Sequence, residues 1–406
     1  MSFFSQPGCT PTYFPIVKCP CPLRPIVEIS TPITVSLQRA ESPQYGAALP
    51  DCPGVYAFRD GTEIVHIGWS PRLRTRVVRL LSRVTSGNST VGSRMRDAGL
   101  VLSCWPTGSR LESSFVMYQV LRSDCPSDYR KRLRLNLPWF VTLTTRDPFP
   151  RLAVSRRIPS REEPAFGPFK SRDSAQLYAD DVLGCFRLRR CADSLTPDPA
   201  HPGCIYGEIN QCLRPCQQAI SEPEYEAEVQ RVSSFLSTNG DSSLAGLVSA
   251  RDEAARALRF ERAAELHKSI AKVKAIAEGR EDLVCDVRGM GGFALTKGTG
   301  ERAVLIWPMS GGLWQESHRI TVGESATPDS LAGLLKESLS PFGRSNGEME
   351  ADRSEHLAIL LRWYYSSSRD GYWYPIRPDK NFNFRRVSKA MLNMANPKKT
   401  SSSTAG

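Results

Sequence analysis

No run of about 18 apolar residues occurs anywhere in the 406-residue chain, so no transmembrane helix is expected. The opening Met1-Ser2-Phe3-Phe4-Ser5-Gln6-Pro7 lacks a basic n-region and a continuous apolar h-region. A secretion signal is therefore not expected, and the cytoplasm is the expected compartment. Acidic residues are in short supply: 42 Asp and Glu against 53 Lys and Arg, a formal net charge of +11. That surplus favours polyanionic partners, nucleic acid ahead of an anionic membrane. With 40% hydrophobic and 23% charged residues, collagen-like, wholly disordered and membrane-embedded classes are excluded. Cysteine, by contrast, is plentiful at twelve. Without an export signal these are read as buried small hydrophobes, metal ligands or reactive thiols rather than as a disulfide framework.

Length alone predicts two to four domains of roughly 100–200 residues. Residues 1–48 are Pro-rich and poorly periodic, which predicts an irregular N-terminal extension. From Cys52 the pattern sharpens. Pro53-Gly54-Val55-Tyr56-Ala57-Phe58 and Ile64-Val65-His66-Ile67-Gly68 are β-rich runs separated by Asp60-Gly61, a hairpin signal. Ser70-Pro71 then reads as an N-cap and first helical position. The following helix places Leu73, Val77, Leu80 and Leu81 on its apolar stripe, while Arg72, Arg76, Arg79 and Arg83 recur at offsets of 4, 3 and 4. A third strand over 100–105 and a helix from Ser109 make residues 49–147 a β-β-α-β-α unit. Residues 148–236 form a linker and a cysteine-bearing segment, 241–278 an antiparallel helical hairpin turning at Leu258 to Phe260, and 281–400 a C-terminal β/α region. The fold class is α+β and multidomain, built on a small antiparallel sheet flanked by helices.

The first constellation lies in residues 49–147. Gly54-Val55-Tyr56 and His66-Ile67-Gly68 resemble the signature of the GIY-YIG nucleases, and the match continues through Arg76 to Glu112 in Ser109-Arg110-Leu111-Glu112. Phosphodiester cleavage needs an activated water, a cation on the developing charge and a guanidinium for the phosphate. The resemblance implies that Tyr56 or His66 activates water, that Arg76 stabilises the phosphate, and that Glu112 holds Mg²⁺ or Mn²⁺. Arg72, Arg79 and Arg83, on the face that carries Arg76, are candidate DNA contacts. The chain departs from the family pattern at His66, where a second tyrosine is usual, at Trp69 in place of a lysine, and near Tyr129, where an asparagine is expected. The Ser109–Glu112 spacing also fits a capping box.

The second constellation is Cys191, Cys204, Cys212 and Cys216, separated by 13, 8 and 4 residues. Four thiolates so close in sequence can close a tetrahedral site, and spacing does not choose zinc over an iron–sulfur cluster. The stretch resembles the cysteine-rich region of UvrC, a component of the UvrABC excinuclease, which implies a [4Fe–4S] cluster, with Zn²⁺ the alternative. The third constellation, Phe260-Glu261-Arg262-Ala263-Ala264, resembles the UVR motif through which the UvrB and UvrC components associate. It implies a UvrB-like partner bound through Phe260, Glu261 and Ala264.

The three motifs stand in family order over residues 52 to 278. The chain thus resembles the N-terminal half of the UvrC excinucleases and their shorter homologue, the Cho-type endonuclease. This implies incision of damaged double-stranded DNA on the 3′ side of a lesion, with no membrane partner. Residues 281–322 read only as a linking β element, with Arg288-Gly289-Met290-Gly291-Gly292 as a hairpin turn. No ribonuclease-H-like or helix-hairpin-helix pattern follows them. Between Arg377 and Lys399 aromatic residues interleave with cations, a further candidate contact for nucleic acid.

Overall fold

The computed structural model describes residues 25–36, 49–85, 101–158, 163–339, 350–376 and 382–396. Three antiparallel sheets and eleven helices make up the described chain, an α+β architecture.

The first sheet has the order β1-β4-β2-β3, with β1 at Ile33–Ser36, β2 at Gly54–Asp60, β3 at Glu63–Ser70 and β4 at Val101–Pro106. The turn between β2 and β3 holds Gly61 at φ 55°, a left-handed conformation that glycine adopts at little cost. Side chains of β2 alternate between two buried faces. Val55 and Ala57 join the core that contains Leu111 and Phe115 of α2 (Arg110–Asp124). Tyr56 and Phe58 join Leu73, Val77 and Leu81 of α1 (Leu73–Thr85). The two helices therefore cover opposite faces. Strand β1 corrects the expectation of a wholly irregular extension: it pairs with β4 at Ile33↔Cys104 through Ser36↔Val101. Ile26 and Val27 are also buried in the α2 core. Cys9, Cys19 and Cys21 lie outside the described residues.

A four-residue helix, α3 (Tyr129–Arg132), leads to the second sheet, of order β6-β5-β7-β8: β5 Trp139–Leu143, β6 Leu152–Ser155, β7 Ala165–Phe169 and β8 Cys285–Asp286. Against it pack α4 (Arg172–Leu183) and α6 (Glu222–Thr238), sharing a core with the end of α8. The cysteine stretch between α4 and α6 has only a short α5 (Ile205–Glu208) and one 3-10 turn. Next come α7 (Asp241–Arg256) and α8 (Phe260–Gly279), joined at Leu258 with φ 57°.

The C-terminal region is more than a linking element. Strands β9 (Gly291–Lys297), β10 (Ala303–Ser310), β11 (Leu313–Trp314) and β13 (Gly371–Pro375) form a sheet of order β11-β10-β9-β13, with β12 (His318–Thr321) also on β10. The 288–292 segment is not a hairpin turn: it links β8 of one sheet to β9 of the next. One face of this sheet packs on α9 (Pro328–Ser338) and α11 (Phe384–Ala395). The other packs on α10 (Glu350–Tyr364) and on α2 of the first unit, where Trp307 stacks on Phe115 at 5.5 Å. One apolar core thus runs from the first sheet through α2 to the C-terminal sheet. Most of the C-terminal aromatics serve that packing: Trp363 is buried and Tyr374 stacks on Phe293 at 5.3 Å. No helix among the described residues is long and apolar enough to cross a membrane.

Candidate active site

Tyr56, His66 and Gly68 share the α1 face of the first sheet, because Tyr56 pairs with Gly68 and Phe58 with His66 across the antiparallel ladder. The hydroxyl end of the Tyr56 ring lies against Gly68: a β-carbon there would fall 2.5 Å from the phenolic oxygen. Only glycine leaves room for that hydroxyl. Arg76 extends from the second turn of α1, and its Nε–H donates to Tyr56 Oη at 3.3 Å. The imidazole of His66 packs 5.8 Å from the Tyr56 ring, centroid to centroid. Burial, and the Arg76 guanidinium after it, hold the His66 imidazole below its ordinary value, so it is neutral at pH 7 and able to accept a proton. Phenol, imidazole and guanidinium are thereby brought together from β2, β3 and α1.

Glu112 comes from a different element. It lies in the first turn of α2, the helix on the opposite face, and its carboxylate serves its own helix end. Oε2 accepts from the backbone N–H of Gly108 at 2.6 Å, while the Glu112 N–H donates to Ser109 Oγ at 3.2 Å. Among the described residues Glu112 makes no hydrogen bond to Tyr56, His66 or Arg76, and its Oε1 accepts none. The residue is 6% exposed. Burial pushes its carboxyl up, against the Gly108 N–H and the charge of Arg319, which pull it down. The C-terminal unit covers this helix end. A β-carbon on Gly108 would meet the Gly298 backbone at 2.1 Å, and the Arg110 N–H donates to Asp370 Oδ2 at 2.5 Å. As a metal seat the site offers one buried carboxylate with an oxygen to spare. Among the described residues no three His, Cys, Asp or Glu side chains meet as a metal-holding group.

The departures from the nuclease pattern have structural employment. The Arg110 guanidinium lies over the Trp69 ring at 5.3 Å. Tyr129 donates its hydroxyl to Glu355 Oε1 at 2.7 Å. Arg72, just before α1, and Arg79, on it, are exposed, and the Arg83 side chain lies outside the described residues.

The four cysteines are neighbours in space: Cys191 and Cys204 both act electrostatically on Cys212 and Cys216, whose thiols burial pushes up first. Two N–H groups aim at sulfur, Arg214 N–H at Cys212 Sγ (3.4 Å) and Arg189 Nη1 at Cys191 Sγ (3.6 Å). Donors of this kind stabilise thiolate charge and fit a sulfur-ligated group. The thiols are near one another without meeting as a closed cage. Arg189, which sequence reasoning passed over, organises the segment. It is 1% exposed, pairs with Asp147 at 2.5 Å and donates to the carbonyls of Phe149 and Asp193. Its only sequence signal was an arginine two residues before a cysteine. At the hairpin, Phe260 is 67% exposed, and Glu261 and Ala264 are exposed beside it on α8.

Residues 138–235, which hold the second sheet's β5 to β7, α4, the four cysteines and α6, match the family model of the UvrC/Cho excinuclease middle domain. Beyond that stretch, the chain is similar to UvrC proteins over most of its length. It is 26% identical over 326 residues to the UvrABC system protein C of Acetivibrio thermocellus, covering 78% of this chain and 51% of that protein. For the protein of the same name from Chlorobium chlorochromatii the identity is 26% over 310 residues, covering 73% and 48%. For that of Chlorobaculum tepidum it is 24% over 307 residues, covering 71% and 47%. The chain spans about half the length of the curated relatives it matches. No solved structure matches it.

Proposed function

We propose that the chain is a DNA endonuclease of nucleotide excision repair, acting in the cytoplasm and cutting one phosphodiester on the 3′ side of a lesion through a GIY-YIG-like site. The observation that carries this reading is the Arg76–Tyr56 hydrogen bond with the neutral His66 imidazole packed beside it. His66 or Tyr56 takes the proton of the attacking water, and the Arg76 guanidinium lies where charge develops on the phosphate. Glu112 is the residue that would hold Mg²⁺ or Mn²⁺, which when bound neutralises developing negative charge. Cys191, Cys204, Cys212 and Cys216 would hold a [4Fe–4S] cluster, or Zn²⁺ in its place, as a structural anchor. Exposed Phe260, with Glu261 and Ala264, offers a UvrB-like partner an apolar tip on the α7–α8 hairpin.

The test is incision of a lesion-bearing duplex in Mg²⁺ or Mn²⁺ with the cut position mapped. A metal-dependent cut confined to the 3′ side, lost in Glu112→Gln, supports the nuclease. A second reading, a DNA-binding adaptor without turnover, is favoured by the Glu112 carboxylate being engaged by Gly108 and covered by the C-terminal unit. Tight binding with no cut in either metal establishes that adaptor.

A further inference from the structure

We infer that the cavity between the α7–α8 hairpin and the end of α4 seats phosphodiester groups of a DNA strand. The inference rests on the reading of the chain as a DNA-processing protein, and concerns a part of the molecule remote in sequence from Tyr56 and Arg76. The cavity has a volume of about 740 Å³ and is walled by the C-terminal end of α4 and by α6, α7 and α8. Three cations line it, Arg231, Lys268 and Lys272, and among its described lining residues there is no carboxylate. Arg231 is paired with the buried Glu228. The other two form no ion pair among the described residues and stand exposed to solvent, with the Asp181 carboxylate of α4 acting on the neighbouring Cys185.

Lys272 Nζ donates to the Gly184 carbonyl at 2.6 Å, a neutral acceptor that leaves its charge intact. A β-carbon at Gly184 would come 2.7 Å from that nitrogen, so the glycine lets the ammonium lie across the end of α4. Lys268, one turn earlier on the same helix, has no partner among the described residues. The hydroxyls of Ser234 and Ser243 line the cavity and are likewise without partners among the described residues. Buried Phe186 and Val273 make up part of its floor.

A phosphodiester carries one negative charge and only acceptor oxygens. It calls for N⁺–H and O–H donors without a carboxylate among the groups it touches, and at exposed lysines such contacts are screened by salt. The cavity supplies that set.

The experiment is a fluorescence-anisotropy titration of a labelled DNA duplex with the full chain between 50 and 200 mM NaCl. Each phosphate contact contributes about −0.9 to the slope of log affinity against log salt. Lys268→Ala, which removes no intramolecular bond, is expected to keep the parent's thermal melting and to flatten the slope by about one contact. Adding Lys272→Ala should flatten it by about two contacts, with at least a ten-fold loss of affinity at 50 mM salt. Lys274→Ala, on α8 but outside the cavity, should leave the slope unchanged. A parent-like slope for Lys268→Ala and the double variant, in a chain that binds DNA, overturns the seat and leaves the nuclease reading standing. Failure of the parent to bind DNA overturns both.

Discussion

At the scale of single residues, the site depends on Gly68 as much as on the groups that do chemistry. Gly68→Ala would drive a methyl into the Tyr56 hydroxyl, 2.5 Å away, and break its contact with Arg76. The expected outcome is a loss of incision of a hundred-fold or so, the order found when one charge-stabilising donor is removed, while the fold is retained by circular dichroism. His66 gives a second outcome. With its imidazole held below the ordinary range by burial and Arg76, the base form persists through neutral pH. The single-turnover incision rate should be flat from pH 8 to 7 and fall only below the usual histidine range. His66→Gln should remove that acid limb. The composition of the site was legible because Gly-Val-Tyr and His-Ile-Gly flank a hairpin turn; its register was not, because a one-residue shift between the Phe58 and Arg59 pairings is what sets His66 opposite Phe58, on the face of Tyr56. The disposition of Glu112 was not legible. A Ser-x-x-Glu opening of a helix reads the same whether the carboxylate caps the helix or faces a metal, and which helix end the C-terminal sheet covers is a long-range fact.

At the scale of elements, α10 is the least legible part of the fold. Asp352, Arg353, Ser354, Glu355 and His356 run consecutively, which in sequence reads as a solvated surface, yet all five are buried. The partners of the two acidic residues come from α2 and α3, while Arg353 donates to the Gly311 carbonyl and His356 meets Trp314. Tyr118 and Tyr129 each donate to Glu355 at 2.7 Å, Arg130 pairs with it at 2.5 Å, and Arg122 pairs with Asp352 at 2.8 Å. Arg130 is half exposed, so the cost of losing Glu355 falls on the Tyr118 and Tyr129 hydroxyls left without their acceptor, about 1–3 kcal/mol for a buried donor. Glu355→Ala should therefore lower the urea midpoint sharply. His356 gives the network a pH signature. Its Nδ1 accepts the Trp314 N–H at 3.0 Å, and burial pushes its imidazole down to about 3 from 6.5. The unfolded chain takes up this proton first, so the contribution is present above pH 6.5 and is lost as pH falls from there toward 3. The loss runs at up to about 1.4 kcal/mol per pH unit. Urea titrations at pH 7 and 5 should show a smaller pH dependence for His356→Gln than for the parent.

At the scale of the molecule, the net charge of +11 and the chemistry-bearing motifs were open to sequence reading; the way the C-terminal sheet closes on the first unit was not. Pairing β13 back to β9 joins residues 371–375 to 292–296, a contact across a long insertion that no local pattern announces. That closure sets the Gly298 turn against Gly108, and so shields the end of α2 that carries Glu112. Gly108→Ala should force the two units apart there, a core-overpacking cost of about 1–3 kcal/mol, detectable as a lowered melting temperature. The central claim is that Tyr56, His66 and Arg76 make a phosphodiester-cleaving centre. Its most direct test is a single-turnover strand-cleavage comparison of the parent chain with Tyr56→Phe and Arg76→Ala at equal DNA occupancy. The account predicts a parent that cuts, and variants that bind the duplex as tightly but cut at least a hundred-fold more slowly. Equal cutting by all three proteins, or a parent that binds and never cuts, would contradict it.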